Sequence, residues 1–157
     1  YYEKYDIPIT ILRYFNVYGP RQDFSDSGFV ASVFLKRALE KRPLEIFGTG
    51  EQTRDFVYVE DNVRLSLKAF LNDRVNGRPM NIGSGKSISI SELADEIKKI
   101  ISQTAIVSKP ERRMGEIKYR TPDVSFMKRM LGDEPKIKLK DGISKTLEYL
   151  KNGEGFL

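Results

Sequence analysis

Residues able to do chemistry first gather at Arg13-Tyr14-Phe15-Asn16, after the apolar run Ile7-Pro8-Ile9-Thr10-Ile11-Leu12 and before Gly19-Pro20. The β-branched run predicts a buried strand, Ile7 to about Phe15, and Gly-Pro predicts a turn. A guanidinium, two aromatic rings and an amide therefore stand at the carboxyl end of one strand, where open α/β sheets bind ligands. Asn16 offers donors and an acceptor, to a ligand or to a local turn. Phe15 suits a ligand face or core packing equally. A second group is Arg54, between Gly48-Thr49-Gly50 and Asp55-Phe56-Val57-Tyr58-Val59. Its guanidinium can grip phosphate oxygens through paired hydrogen bonds, or pair at the surface with Asp55 or Glu51.

Composition narrows the chemistry further. The 157 residues include no Cys and no His, which excludes disulfides, thiolate metal sites and the usual zinc ligand sets. The net charge is +5, but basic residues alternate with acids, as in Glu111-Arg112-Arg113 and Lys138-Leu139-Lys140-Asp141. Such runs read as solvated faces, so no nucleic-acid partner is expected. No 18-residue apolar run or secretory core is present, so a soluble cytoplasmic chain without a membrane partner is expected.

The elements that must position these groups alternate between strands and helices. Tyr1 to Tyr5 end a helix; a second helix runs from near Ser27 to Glu40, with Phe29, Val30, Val33, Phe34 and Ala38 on its apolar face. Leu44 to Phe47 and Arg54 to Val59 read as strands. Asp61 is the expected N-cap of a helix carrying Val63, Leu67, Phe70 and Leu71. Met80 to Ile82 and Ala105 to Val107 are short strands. Ser89 and Glu92 form a capping box ahead of Leu93, Ile97, Ile100 and Ile101. Thr121-Pro122 opens a helix that Gly132 closes, and a last helix carries Ile143, Leu147 and Leu150 to Asn152-Gly153. Gly48-Thr49-Gly50 and Gly83-Ser84-Gly85 each lack the third glycine of a dinucleotide fingerprint and read as turns.

Taken in order, Arg13-Tyr14-Phe15-Asn16-Val17-Tyr18-Gly19-Pro20-Arg21-Gln22, Gly48 through Asp61, Asn81-Ile82-Gly83-Ser84-Gly85, Arg113-Met114-Gly115-Glu116 and Asp133-Glu134-Pro135-Lys136 resemble the sugar-nucleotide epimerases and dehydratases of the extended short-chain dehydrogenase/reductase family. These blocks span nearly the whole chain, and their wording leans toward the UDP-glucose 4-epimerase branch. The resemblance implies an α/β fold: the C-terminal part of a Rossmann-type enzyme, with one or two strands of the cofactor sheet plus a small mixed α/β substrate domain. Residues 1–157 are then a C-terminal fragment in which the end of the NAD-binding sheet and the sugar-nucleotide domain are interleaved.

The resemblance also assigns roles. Tyr14 and Phe15 face the nicotinamide of NAD, and Asn16 holds the sugar-nucleotide diphosphate. Gly28 and Phe29 begin the helix beneath the nucleotide, and the strand Leu44 to Phe47 lines the uracil, with Phe47 offering the base an apolar face. Arg54 and Arg113 meet the diphosphate, and Glu116 the ribose hydroxyls. The implied reaction is C4 epimerisation of a UDP-hexose through a 4-keto intermediate, with a dehydratase, a decarboxylase or a non-catalytic nucleotide-sugar module as alternatives. The family's Tyr-x-x-x-Lys pair is absent, since no Tyr here has Lys four positions later. The proton-transfer pair and the Gly-rich cofactor turn are therefore expected upstream. The chain alone is expected to be inactive and to bind NAD weakly, whereas its parent is a UDP-sugar-binding homodimer. Arg120, and Asp133 in place of an aromatic, depart from the family's wording.

Overall fold

The computed structural model describes residues 1–110 and 117–153. Helix α1 (Tyr2–Tyr5), strands β1 (Ile11–Tyr14) and β2 (Val17–Tyr18), and helix α2 (Val30–Leu39) come first. Strands β3 (Leu44–Phe47), β4 (Thr53–Asp55) and β5 (Val57–Tyr58) lead into helix α3 (Val59–Phe70). A 3-10 turn (Asp73–Val75), β6 (Pro79–Ile82), β7 (Ser87–Ser89), α4 (Ile90–Ile100), β8 (Ile106–Lys109), α5 (Ser125–Leu131) and α6 (Leu139–Lys151) complete the described chain.

The strands pair two by two. Parallel pairs join β1 to β6, β2 to β5 and β3 to β8, and β4 runs antiparallel to β7. Parallel partners need long crossovers. Helix α3 lies in the crossover from β1 to β6 and packs on β6; α4 lies between β3 and β8 and packs on β3. One core joins Phe34 and Leu35 of α2, Leu44 and Ile46 of β3, Leu93 and Ile97 of α4, and Ile143 and Leu147 of α6. A second core joins Leu65 and Ala69 of α3 to Met80, Ile82 and Met127. The capping box forms as read, with Glu92 N–H on Ser89 Oγ at 3.0 Å and Ser89 N–H on Glu92 Oε2 at 2.7 Å.

Several expectations are corrected. The strand expected over Ile7 to Phe15 pairs only at Ile11–Tyr14, and it is not buried: Ile11 is 60 % and Tyr14 53 % exposed. It has a partner on one edge, and only Leu12 reaches the second core. The stretch Arg54 to Val59 is broken at Phe56 into β4 and β5. Asp61 is not an N-cap; it lies in the first turn of α3, behind Tyr58.

That position sets the buried face of α3. The buried Asp61 Oδ2 accepts the N–H groups of Lys136 at 2.8 Å and Ile137 at 2.7 Å, so the inward stripe runs Asp61, Leu65, Ala69. Val63, Leu67, Phe70 and Leu71 consequently face outward. Helix α2 starts at Val30 with Phe29 as an exposed N-cap, three residues later than read, and buries Ala31 and Leu35. Pro122 does not open a helix. It packs where a Cβ on Gly83 would stand, and α5 begins at Ser125, whose N–H Asp123 Oδ1 accepts at 2.8 Å.

Two features carry direct predictions. A Cβ on Gly142 of α6 would stand 2.1 Å from Tyr18 Oη and 2.9 Å from Tyr58 Cδ2. Both rings are buried, and Tyr18 Oη donates to Leu139 O at 3.2 Å. Gly142→Ala should therefore lower the urea midpoint by an overpacking loss of about 1–3 kcal/mol. A raised midpoint, as helix propensity alone dictates, contradicts this packing.

Asp133 is the other. Its side chain is 5 % exposed and takes Arg64, Lys68 at 2.6 Å and Lys136 at 3.6 Å. The Lys68 ammonium first, then the Glu134 N–H and Arg64, hold its carboxyl well below the usual range. A depressed folded pKa stabilises above the unfolded value, about 4, and that contribution is lost as pH falls toward the folded value. The stability gap between wild type and Asp133→Asn should hold from neutral to mildly acid pH and shrink below about pH 4. A gap constant to pH 2 contradicts it.

Candidate functional site

A cleft of about 240 Å³ is lined by Asn16, Gly28, Phe29, Phe47 and Arg54. These are all the expected substrate residues that fall within the described chain. Strand alternation builds one wall: Leu44 and Ile46 of β3 point into the core, leaving Glu45 and Phe47 to the cleft. Gly48 (φ 70°) and Gly50 (φ 74°) then turn the chain back. Gly50 is required twice, since a Cβ there would also meet Ser91 Oγ at 2.1 Å. Gln52 Nε2 ties the turn to Phe47 O at 3.1 Å, and β4 returns with Arg54.

Hydrogen bonds set both polar groups in place. Arg54 Nη1 donates to Thr53 O and Ile117 O, each at 2.8 Å. Asn16 Nδ2 donates to Asp55 O at 3.1 Å, and Asn16 O accepts Val57 N–H at 3.1 Å. The Asp55 carboxylate, fully buried, accepts Ser84 N–H at 3.0 Å and Gly85 N–H at 2.7 Å. Burial pushes this carboxyl up against the lowering effect of those donors. Asp55 thus pins β4 to the Gly83-Ser84-Gly85 turn from the residue next to Arg54.

The two ends of the cleft differ in charge. At one end α2 begins without a side-chain cap and with no acid in its first turn. A bare helix start, Arg54 and the Asn16 amide form a setting for an anion. Toward the other end of α2, Arg37 and Glu45 line the wall as an ion pair at 2.8 Å. The Arg37 guanidinium foremost, with Lys109 beyond it, holds the Glu45 carboxyl below its ordinary value. Sequence reasoning passed over Arg37, Gln52 and Asp26, which also line the cleft, and took Glu45 only as part of the uracil-lining strand Leu44 to Phe47. For Glu45 the signal was present, because it alternates with Phe47 on one strand.

Tyr14 and Phe15 are not brought into this cleft. Tyr14 Oη lies 3.1 Å from Ser66 Oγ on α3, and Phe15 N–H donates to Ile82 O at 3.3 Å. Residues expected on the cofactor side are thereby separated from those on the substrate side. Arg113 and Glu116 lie outside the described residues. Among the described residues no group of acids is gathered to hold a metal ion, and no helix is long and apolar enough to cross a membrane.

Residues 1–83 match the model of the NAD dependent epimerase/dehydratase family. The chain belongs to this family. A UDP-N-acetyl-alpha-D-glucosaminuronate decarboxylase of Bacillus cytotoxicus is 35 % identical over 98 % of this family member and 49 % of its own length. The solved UDP-glucose 4-epimerase of Thermotoga maritima with UDP-glucose is 37 % identical, with a TM-score of 0.90 over 97 % of this chain and 48 % of that one. A UDP-glucuronic acid 4-epimerase of Bacillus cereus, solved with UDP-glucuronic acid and NAD, is 34 % identical with a TM-score of 0.85, over 96 % and 48 %. The described mixed α/β structure thus matches about half of an extended short-chain dehydrogenase/reductase epimerase, and the chain spans about half the length of these relatives.

Proposed function

We propose that this chain is the sugar-nucleotide-binding part of an NAD-dependent UDP-hexose 4-epimerase of the UDP-glucose 4-epimerase type. The observation that carries it is the convergence of Asn16, Gly28, Phe29, Phe47 and Arg54 on one cleft, with an uncapped helix start at its anionic end. The diphosphate takes Arg54 and Asn16, joined by Arg113; the base lies against Phe47, and Glu116 serves the ribose. NAD, when bound in the intact protein, accepts and returns the hydride at sugar C4. Tyr14 and Phe15 belong to that side. The outward stripe of Val63, Leu67, Phe70 and Leu71, with the edge of β1 that has no strand partner among the described residues, is where the rest of the enzyme packs. Decarboxylation of a UDP-sugar is the second reading, favoured by the Bacillus cytotoxicus relative; it uses the same diphosphate and base contacts.

Calorimetry on the isolated chain tests the assignment. Saturable UDP binding with no tight NAD binding is expected, because the cleft is built from these residues while the Gly-rich cofactor turn is absent. Tight NAD binding without UDP binding would mean that the cleft belongs to the cofactor.

A further inference from the structure

The end of the cleft away from the helix start carries two side chains that the phosphate contacts leave unused. Arg37 Nη1 and Glu45 Oε2 stand 2.8 Å apart, and both residues line the cleft. Arg37 Nε is buried without a hydrogen-bond partner, with Asp26 Oδ1 4.0 Å from it. Glu45 shares a face of β3 with Phe47, two residues along the strand. Arg37 lies eight residues along the helix from Phe29, about 12 Å at the α-helical rise. A nucleoside diphosphate covers a similar span between terminal phosphate and base edge. A nucleoside diphosphate with its phosphates at the start of α2 and its ring against Phe47 would bring its base edge to Arg37 and Glu45.

We propose that the Arg37–Glu45 pair reads the edge of the nucleobase and selects uracil over cytosine. The inference rests on the UDP-sugar reading of the cleft. Arg37 donates to a uracil carbonyl oxygen while Glu45 accepts the adjacent N3–H. Cytosine in the same pose aims its amino group at the Arg37 donors and its N3 lone pair at the Glu45 carboxylate. Donor then faces donor and lone pair faces carboxylate at the base edge, a mismatch that a partly buried site penalises. Sliding the base by one group would restore the pairing, but the ring on Phe47 and the phosphates on Arg54 hold its register.

UDP and CDP affinities of the full chain, measured by calorimetry, test the proposal in wild type, Glu45→Gln, Arg37→Gln and Arg54→Ala. Wild type should favour UDP by at least about tenfold, the size of a good paired base contact. Glu45→Gln and Arg37→Gln should bring the ratio to within about twofold. Arg54→Ala should weaken both ligands and keep the ratio. An unchanged UDP/CDP ratio in both base-end variants, each melting cooperatively, would make Arg37–Glu45 a wall-bracing ion pair only. It would overturn the proposal and leave the UDP reading standing. Loss of the ratio in Glu45→Gln alone suffices to support it should Arg37→Gln fail to fold. Unchanged UDP binding in Arg54→Ala would overturn the underlying reading itself.

Discussion

Arg54→Ala should weaken UDP binding by about 1.5–3 kcal/mol, the worth of a charge-assisted hydrogen bond. Arg54 lines the same cleft as Asn16 and the residues that start α2, and Nη1 is oriented by two backbone carbonyls before any ligand arrives. Preorganisation of this kind removes part of the ordering cost of binding. In the intact enzyme the loss should appear chiefly in substrate affinity and not in turnover. The diphosphate is remote from sugar C4 and is held alike in ground and transition states. UDP affinity should fall in parallel with UDP-sugar affinity, and bound NAD should stay. Arg54→Lys should recover only part of the loss, since an ammonium cannot reproduce the planar fork. A purely surface role predicts under about 1 kcal/mol of stability change and unaltered binding. Calorimetry with UDP, paired with thermal unfolding, separates the two outcomes.

Asp61→Ala should cost about 2–5 kcal/mol of stability, a large share of the margin of a domain this size. The Asp61 carboxylate is 2 % exposed and holds the N–H groups of Lys136 and Ile137 together with Arg64 at 2.5 Å. Without it two backbone donors lose their acceptor inside the protein, and the segment leading into α6 loses its tie to α3. Asp61→Asn keeps the shape and one acceptor oxygen, so its loss should be smaller. Urea unfolding of the two variants measures the difference. A loss below 1 kcal/mol for Asp61→Ala would mean that water reaches both N–H groups and that Asp61 does not anchor the segment.

The same carboxylate explains where sequence reading misplaced the start of a helix. Periodicity located α3 and its apolar residues Val63, Leu67, Phe70 and Leu71, but Asp61 was read as a cap and not as the buried acid that decides which face turns in. Asp61 has backbone partners seventy-five residues and more away in the chain, a tertiary fact with no local signal. The run from Ile7 misled similarly: it is apolar enough for a buried strand, yet β1 is paired on one edge and reaches the second core only through Leu12. Where the determinant was local, the reading held. The Ser89–Glu92 box, the Gly132 stop and the β3 strand all stand as read. Residue type and motif order singled out Asn16, Phe47 and Arg54, which the fold gathers along one cleft. Arg37 was hidden because it is one more cation on a charged helix until β3 brings Glu45 against it.

The central claim is that the cleft between α2 and the β3–β4 turn binds a UDP-sugar through its diphosphate. A crystal structure of this chain with UDP tests it most directly. The diphosphate is expected within hydrogen-bond distance of Arg54 and Asn16 at the start of α2, with uracil against Phe47. UDP lodged elsewhere, or the pyrophosphate of NAD in this cleft, would contradict the account.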